Sequence, residues 1–249
     1  MSMSSYERIM TALQFKEPDR VPFLISPTMH PARDQGIALS EYFRSPDLVA
    51  RGFITSRDKF GTDGYIVFHY TPVEYEAFGG DVIFRSDGPP NSGRPIITSG
   101  AVIDSLRPPD VSSTPCLQMV LDTIRKVRAW SPDDAPIFGV ALAPLSLPVM
   151  QMGFEDYIRL IYSDPVRFEK LIAVNSAFFL SWASAQIAAG ASGIIYYDPV
   201  SSPTIIPPDL YRRTGLQIAH DLIPRVPGPV VPAFASASVY PILDDVIST

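Results

Sequence analysis

Three polar side chains follow apolar segments of the chain and have the chemistry of acids and bases. His69 and Tyr70 come directly after the segment at 64–68, and Asp198 follows the segment at 193–197. Imidazole, phenol and carboxylate groups transfer protons in many enzymes. We therefore interpret His69, Tyr70 and Asp198 as candidate catalytic residues, with Asp198 as a general base or as the contact for a cationic group of the substrate.

The same three residues also fit structural roles. Asp198 precedes Pro199, and an aspartate before a turn often accepts hydrogen bonds from nearby backbone amides. His69 and Tyr70 can equally be polar residues that meet water at the end of a strand. The sequence leaves both interpretations open.

Further residues near the ends of apolar segments are candidates for substrate binding. They are His30, Met150, Ser201 and Ser202. Methionine suits an adaptable apolar pocket wall, although it more often fills a core. His30 has an ordinary structural role as its alternative.

Composition excludes several classes of protein. The net charge of −6 argues against binding to nucleic acid, and a single cysteine, Cys116, excludes a cage of several cysteines around a metal. No glycine-rich nucleotide-binding motif follows an apolar segment, so we assign no cofactor on this basis and no metal-ligating residues. The uncharged stretch at 171–197 is broken by glycines and polar residues, which favours a buried helix and strand over a membrane span. Without a signal-type N-terminus, we expect a cytoplasmic protein.

Helical and apolar segments alternate along the whole chain. The strands read as continuous apolar runs, which is typical of a parallel sheet covered by helices. We predict strands at 19–25, 64–68, 136–142, 193–197 and 228–231, and helices at 4–14, 45–61, 114–130, 164–190 and around 211–218. An excursion at 71–115 holds one hairpin, near 87–93. In such folds the carboxyl ends of the strands carry the site.

Several segments together resemble the uroporphyrinogen decarboxylase superfamily, which also includes the methylcobamide:coenzyme M methyltransferases. They read SSYERIMTALQFKEPDRVPF, FGTDGYIVF, VEYEAFGGDVIFRSDGPP, GVALAPLSLPVMQMGFEDYIRLIYSDP and DPVSSPTIIPPDLYRR. The resemblance extends over essentially the whole chain, 1–249, as a single domain. It implies an α/β fold of the TIM-type (β/α)8 class, with the excursion at 71–115 over the barrel mouth. About five strand–helix units are present, which predicts an incomplete barrel.

The resemblance also exposes departures from both family chemistries. Ala233 and Ala235 stand where the methyltransferases carry the histidine and cysteine of a zinc site, so zinc is not expected. Tyr70 stands where the decarboxylases carry their catalytic aspartate. Their arginine-rich stretch corresponds here to 29–33, where only Arg33 remains as an anion contact, and Met150 replaces a tyrosine.

Three hypotheses about function follow from the resemblance. The first is methyl transfer from a methyl-corrinoid, free or on a carrier protein, to a small acceptor. The second is decarboxylation of a tetrapyrrole, and the third is a catalytically inactive protein that binds a corrinoid or tetrapyrrole. The incomplete barrel also predicts either a homo-oligomer or a further C-terminal half.

Overall fold

A four-stranded parallel sheet forms the centre of the computed structural model, which describes residues 2–86, 88–131 and 135–249. Its strands are β1 (Tyr65–Val67), β4 (Ile137–Leu142), β5 (Gly193–Tyr197) and β6 (Val230–Ala233), in that spatial order. In the register, Tyr197 lies opposite Leu142 on one side and Ala233 on the other. A separate antiparallel pair, β2 (Val82–Ile83) and β3 (Asn91–Ser92), confirms the hairpin; Asp87, between these strands, lies outside the described residues.

Helices connect the strands, and the helices predicted at 4–14, 45–61, 114–130 and 164–190 have nearly the predicted bounds. The described helices are α1 (Ser5–Leu13), α2 (His30–Asp34), α3 (Leu39–Tyr42), α4 (Pro46–Phe60), α5 (Val73–Ala77), α6 (Gly100–Ser105), α7 (Pro115–Trp130), α8 (Pro148–Met152), α9 (Phe154–Ser163), α10 (Pro165–Ala188), α11 (Pro208–Arg213), α12 (Gly215–Leu222) and α13 (Leu243–Ile247). The Ser4 hydroxyl and the Glu7 carboxylate form a reciprocal capping box on α1. Gly61 ends α4 in the left-handed conformation, with φ of 65°. Around 211–218, the single predicted helix is two helices, divided at Thr214.

The predicted first strand, at 19–25, is the main correction to the expected topology. This segment forms no strand, and its backbone meets the start of β1 through one bond, from the Asp63 N–H to the Phe23 carbonyl at 2.8 Å. Pro22 lacks an N–H group for a ladder, and the Phe23 N–H donates to the Asp63 carboxylate instead. The described residues therefore contain four parallel strands, each followed by helix, where five were predicted.

The two faces of the parallel sheet differ in how well they are covered. Side chains such as Val67, Ala141 and Tyr196 face α7 and α10 and are buried in the main core. Their neighbours on the opposite face, including Ile66 and Ile195, are only half-buried. In a closed TIM-type barrel the first face meets the outer helices and the second faces the interior.

Helix α10 is long and apolar enough to cross a membrane by length and composition. It also carries three large side chains of the core, because Phe178, Phe179 and Trp182 are fully buried against the sheet and its neighbours. A core helix of a folded domain has the same composition, so this helix gives weak support for a membrane span.

Gly139 lets α10 approach the centre of β4. A Cβ atom at this position would lie 2.2 Å from Oε1 of Gln186, whose amide donates to the Val140 carbonyl at 3.0 Å. We expect Gly139→Ala to lower the free energy of unfolding by about 1 to 3 kcal/mol, measured by urea denaturation. The loss should shrink in a Gln186→Ala background, where only the Cβ of residue 186, at 3.3 Å, stays close to the added methyl group. Equal losses in both backgrounds would contradict this account.

Candidate active site

A cavity of about 310 Å³ opens at the carboxyl ends of the parallel strands, on the half-buried face of the sheet. Its lining combines an apolar floor with a few hydroxyl groups, and consists of Ser26, Thr28, Ile66, Phe68, Thr71, Val140, Ile195, Tyr197 and Ala233. Active sites of TIM-type barrels lie at this end of the strands. No charged side chain is found among these lining residues.

His69 points away from the cavity, because side chains alternate between the two faces of an extended chain. Phe68 lines the cavity, whereas His69 is buried against α7 with its Nε2 2.8 Å from Thr123 Oγ1. Burial lowers the pKa of His69 to about 3, although the nearby Phe43 backbone acts in the opposite direction. The ring is therefore neutral at physiological pH.

Tyr70 also lies outside the cavity. Its hydroxyl donates to Glu76 Oε2 at 2.6 Å, and its ring packs edge-on against Phe43 and Phe84. Burial raises the pKa of Tyr70, and the neighbouring Glu76 carboxylate raises it further. The next residue, Thr71, lines the cavity instead.

Asp198 links two loops at the carboxyl end of the sheet. Its Oδ1 accepts a hydrogen bond from Ser146 Oγ at 2.6 Å, and its Oδ2 accepts one from Ser201 Oγ at 2.5 Å. The Ser146 hydroxyl oxygen in turn accepts from the Val200 N–H at 3.1 Å. Burial raises the pKa of Asp198, although both serine hydroxyls and the Ser201 backbone amide lower it. This geometry is that of a buried clamp between the loops after β4 and β5.

The predicted substrate-binding residues lie away from the cavity as well. Ser201 and Ser202 are fully buried, Ser201 on Asp198 and Ser202 on Thr204. His30 lies half-exposed on α2, with its Nε2 3.5 Å from Asp34 Oδ2.

Two further predicted contacts, Arg33 on α2 and Met150 on α8, are not among the lining residues either. Met150 instead packs partly buried against the main core. No hydrogen bond between described residues joins His69, Tyr70 and Asp198. All three follow the carboxyl ends of parallel strands, but none of them lines the cavity, and their catalytic roles remain predictions.

Sequence reasoning missed the residues that do line the cavity, although the signal was available. In the extended segments, Phe68 and Tyr197 immediately precede the candidates His69 and Asp198. The alternation of an extended chain places these pairs on opposite faces. Phe68 and Tyr197 lie on the less covered face, at the carboxyl ends of the strands where TIM-type barrels build their sites.

The residues at the end of β6 do not fit a zinc ion. Ala233 lines the cavity with a methyl group, and Ala235 is exposed with φ of 56°. Neither side chain has a lone pair to give to a metal. Within residues 2–86, 88–131 and 135–249, no group of three or more histidine, cysteine, aspartate or glutamate side chains could hold a metal ion.

One buried carboxyl group lies behind the site, on the helix-covered side of β4. Glu74 Oε1 accepts a hydrogen bond from the Leu142 N–H at 2.8 Å, where β1 no longer pairs with β4. Burial raises the pKa of Glu74 to about 8, although the bond from the Leu142 N–H and the neighbouring Trp182 indole act in the opposite direction. Glu74 thus takes the place of a missing ladder partner at the edge of β4.

Comparison with known proteins gives consistent matches over nearly the whole chain. The family model for uroporphyrinogen decarboxylase matches residues 4–249. The uroporphyrinogen decarboxylase of Anaeromyxobacter dehalogenans (strain 2CP-C) is 29% identical over 202 residues, which cover 74% of this chain and 57% of the relative. The methylcobamide:CoM methyltransferase MtaA of Methanosarcina barkeri is 25% identical over 213 residues, covering 83% of this chain and 62% of the relative. The matched segment is thus about three fifths of the length of each of these relatives.

A solved structure confirms the predicted fold class. A methyltransferase from Methanosarcina mazei superimposes with a TM-score of 0.81 at 22% sequence identity, covering 98% of this chain and 73% of the other. The parallel sheet with its strand–helix units is therefore part of a TIM-type barrel.

Proposed function

Since this chain belongs to the uroporphyrinogen decarboxylase family, we propose that it takes part in methyl transfer from a methyl-corrinoid to a small acceptor bound in the cavity. The donor is a free corrinoid or one held by a carrier protein, and the protein works in the cytoplasm. The similarity to MtaA over 83% of this chain supports the methyl-transfer branch.

The observation that carries this proposal is the neutral lining of the cavity. Uroporphyrinogen is a polycarboxylate, and desolvated carboxylates need cations or several hydrogen-bond donors around them. Hydroxyl groups and apolar side chains, with no arginine, lysine or histidine, make up the lining. A small acceptor without charge suits this lining better than a tetrapyrrole does.

The proposed step balances without a metal held by these residues. The nucleophilic atom of the acceptor forms a bond to the methyl carbon while the cobalt–carbon bond breaks. Both electrons of that bond remain on cobalt, which passes from Co(III) to Co(I), and the proton of the acceptor passes to water. The role of the chain is to bind and orient the acceptor.

A second candidate is a protein that binds a corrinoid without turnover. One observation favours it: Tyr197 is the single titratable side chain among the cavity-lining residues. Decarboxylation of a tetrapyrrole is the third candidate, and the neutral lining disfavours it.

Two assays, one with methylcobalamin and one with uroporphyrinogen, separate the three candidates. The purified chain is incubated with methylcobalamin and a panel of small alcohols, phenols and thiols, and the loss of the methyl-cobalt absorbance is followed together with the methylated product. Turnover that is insensitive to chelators supports methyl transfer. Corrinoid binding without product supports the second candidate, and carbon dioxide release from uroporphyrinogen supports the third.

Ala233→Leu tests whether the cavity is the place of the reaction. The larger side chain fills part of the space of about 310 Å³ beside Tyr197, so we expect turnover to fall at least about tenfold. Tyr240→Phe, at a side chain that is 82% exposed, is the matched control and should keep full activity. Unchanged turnover in a folded Ala233→Leu protein would show that the reaction does not take place in this cavity.

A further inference from the structure

We infer that the cavity selects a compact, uncharged molecule that has an apolar body and one neutral hydrogen-bonding group, and that Tyr197 is the residue that selects it. This inference rests on the proposed function, because it names the class of acceptor that the same site would take. It also stands apart from that function, because ligand selection can be measured without any corrinoid.

The floor of the cavity provides the contact for an apolar body. Ile66, Phe68, Val140 and Ile195 all lie on it and are all half-buried. Covering such side chains with an apolar ligand removes their exposed surface from water and stabilises the complex. The size of the cavity, about 310 Å³, is at the low end for small-molecule sites and favours a compact ligand.

The polar side chains at the cavity all carry hydroxyl groups. They belong to Ser26, Thr28, Thr71 and Tyr197, and none of them carries a full charge to compensate an ionised ligand. A carboxylate placed here would lose hydration without gaining an ion pair, whereas a neutral hydroxyl or amide would gain a hydrogen bond. The lining therefore discriminates by charge.

Tyr197 differs from the other hydroxyl-bearing residues in how firmly its backbone is held. Its carbonyl accepts from the Ala143 N–H at 2.9 Å, and the next amide, of Asp198, donates to the Ala233 carbonyl at 2.7 Å. The Asp198 side chain then fixes the following loop through Ser146 and Ser201. Asp198 is on this view a positioning residue for Tyr197.

The Tyr197 hydroxyl is also available to a ligand. Within the described ranges it makes no hydrogen bond, whereas the buried Tyr70 and Tyr157 hydroxyls donate to Glu76 and to the Leu145 carbonyl. A rigidly placed donor with no protein partner gains most from a ligand that accepts its bond. Sites of this kind reject analogues that lack the matching group.

Three probes of similar size test the inference: benzyl alcohol, toluene and benzoate. Binding to the whole chain is measured by calorimetry and by ligand-observed NMR, with no corrinoid present. We expect benzyl alcohol to bind at least about tenfold more tightly than benzoate, and Tyr197→Phe to remove about five- to tenfold of the affinity for benzyl alcohol while leaving that for toluene unchanged. Tyr240→Phe is the matched control and should bind like the wild type.

A second variant keeps the test meaningful if Tyr197→Phe does not fold. Thr71→Val removes another hydroxyl of the lining at nearly constant volume and should weaken benzyl alcohol more than toluene. Benzoate binding as tight as benzyl alcohol, binding of none of the probes, or equal effects of these variants on alcohol and toluene would each overturn the inference. Selective binding without methyl transfer would instead overturn only the proposed function.

Discussion

Glu74→Gln is expected to make the stability of the protein much less sensitive to alkaline pH. The wild-type protein should lose about 2 kcal/mol of unfolding free energy between pH 6.5 and 8 from this one group. The glutamine variant should lose little of this, because it has no proton to release at that position and still offers a carbonyl oxygen to the Leu142 N–H.

The direction follows from the raised pKa of Glu74. Burial raises the pKa of this carboxyl from its ordinary value of 4.5 to about 8. In the unfolded chain the group ionises near pH 4.5, whereas in the folded chain it keeps its proton to about pH 8. The stabilisation is therefore fully present below pH 4.5 and is lost as the pH rises through 8.

Two other buried groups determine the pH range in which the effect of Glu74 on stability can be measured. Burial lowers the pKa of His69 to about 3, so its contribution is lost as the pH falls below about 6.5, outside the chosen range. The pKa of Asp198 is raised, mainly by burial, and its contribution is common to the wild type and the variant. Denaturation curves at several pH values between 6.5 and 9 measure the difference.

A control separates the buried carboxyl from carboxyl groups in general. Glu17→Gln, at an exposed residue, should leave the pH dependence of the wild type intact. If Glu74→Gln and the wild type show parallel curves from pH 6.5 to 9, then Glu74 is ionised in the folded protein and the account of its buried edge position is wrong.

Local signals predicted the elements of this fold well. Ser4 with Glu7 begins α1, Asp164 with Pro165 begins α10, and Gly61 ends α4 in the left-handed conformation, so each boundary is a short-range property of a few residues. The continuous apolar runs likewise indicated a parallel sheet, and its four strands are parallel. These features depend on neighbours in the chain.

The candidate site was less predictable for two reasons. It depends on which face of the sheet each strand residue occupies, and on contacts between residues that are distant in sequence. Choosing His69 over Phe68, or Asp198 over Tyr197, is a shift of one residue that moves a side chain to the other face of the sheet. Of each pair, the titratable side chain was predicted to be catalytic, but packing buries His69 against α7 and Asp198 between the loops after β4 and β5. Glu74 shows the same limit, because only the fold brings it to the Leu142 N–H at 2.8 Å.

Asp63 explains why the predicted strand at 19–25 lies along the sheet without joining it. Its Oδ1 accepts from Arg8 Nη1 at 2.6 Å and from Arg20 Nη2 at 2.7 Å, and its Oδ2 accepts from Arg20 Nη1 and the Phe23 N–H, both at 2.8 Å. One carboxylate thus joins α1, the following segment and the start of β1. Hydrogen bonds to the Asp63 side chain therefore hold this segment beside the sheet, in place of the backbone hydrogen bonds that join neighbouring strands.

Asp63→Ala is therefore expected to lower the free energy of unfolding by about 2 to 3 kcal/mol, because it removes the charged acceptor of the hydrogen bonds from Arg8 and Phe23. The Asp63 carboxylate is 2% exposed, and its loss leaves the buried Arg8 guanidinium with Asp19 as its remaining ion-pair partner and the Phe23 N–H without its acceptor. Urea denaturation measures the total, and hydrogen exchange at the Phe23 amide reports the local release of the segment.

Acid should reproduce this loss in the wild-type protein. Burial alone would raise the pKa of Asp63, but the bonds from Phe23, Arg20 and Arg8 together lower it below 3.8. The stabilisation is present above that ordinary value and is lost as the pH falls through the lowered one, and Asp63→Ala should be insensitive to this step.

The control for Asp63→Ala is an ion pair at the surface. Asp47→Ala removes the partner of Lys126 at 2.9 Å, where the aspartate is 55% exposed, and should cost less than about 1 kcal/mol. If Asp63→Ala costs no more than this control and the Phe23 amide stays protected, then apolar packing alone holds the segment at 19–25, and the carboxylate is not its anchor.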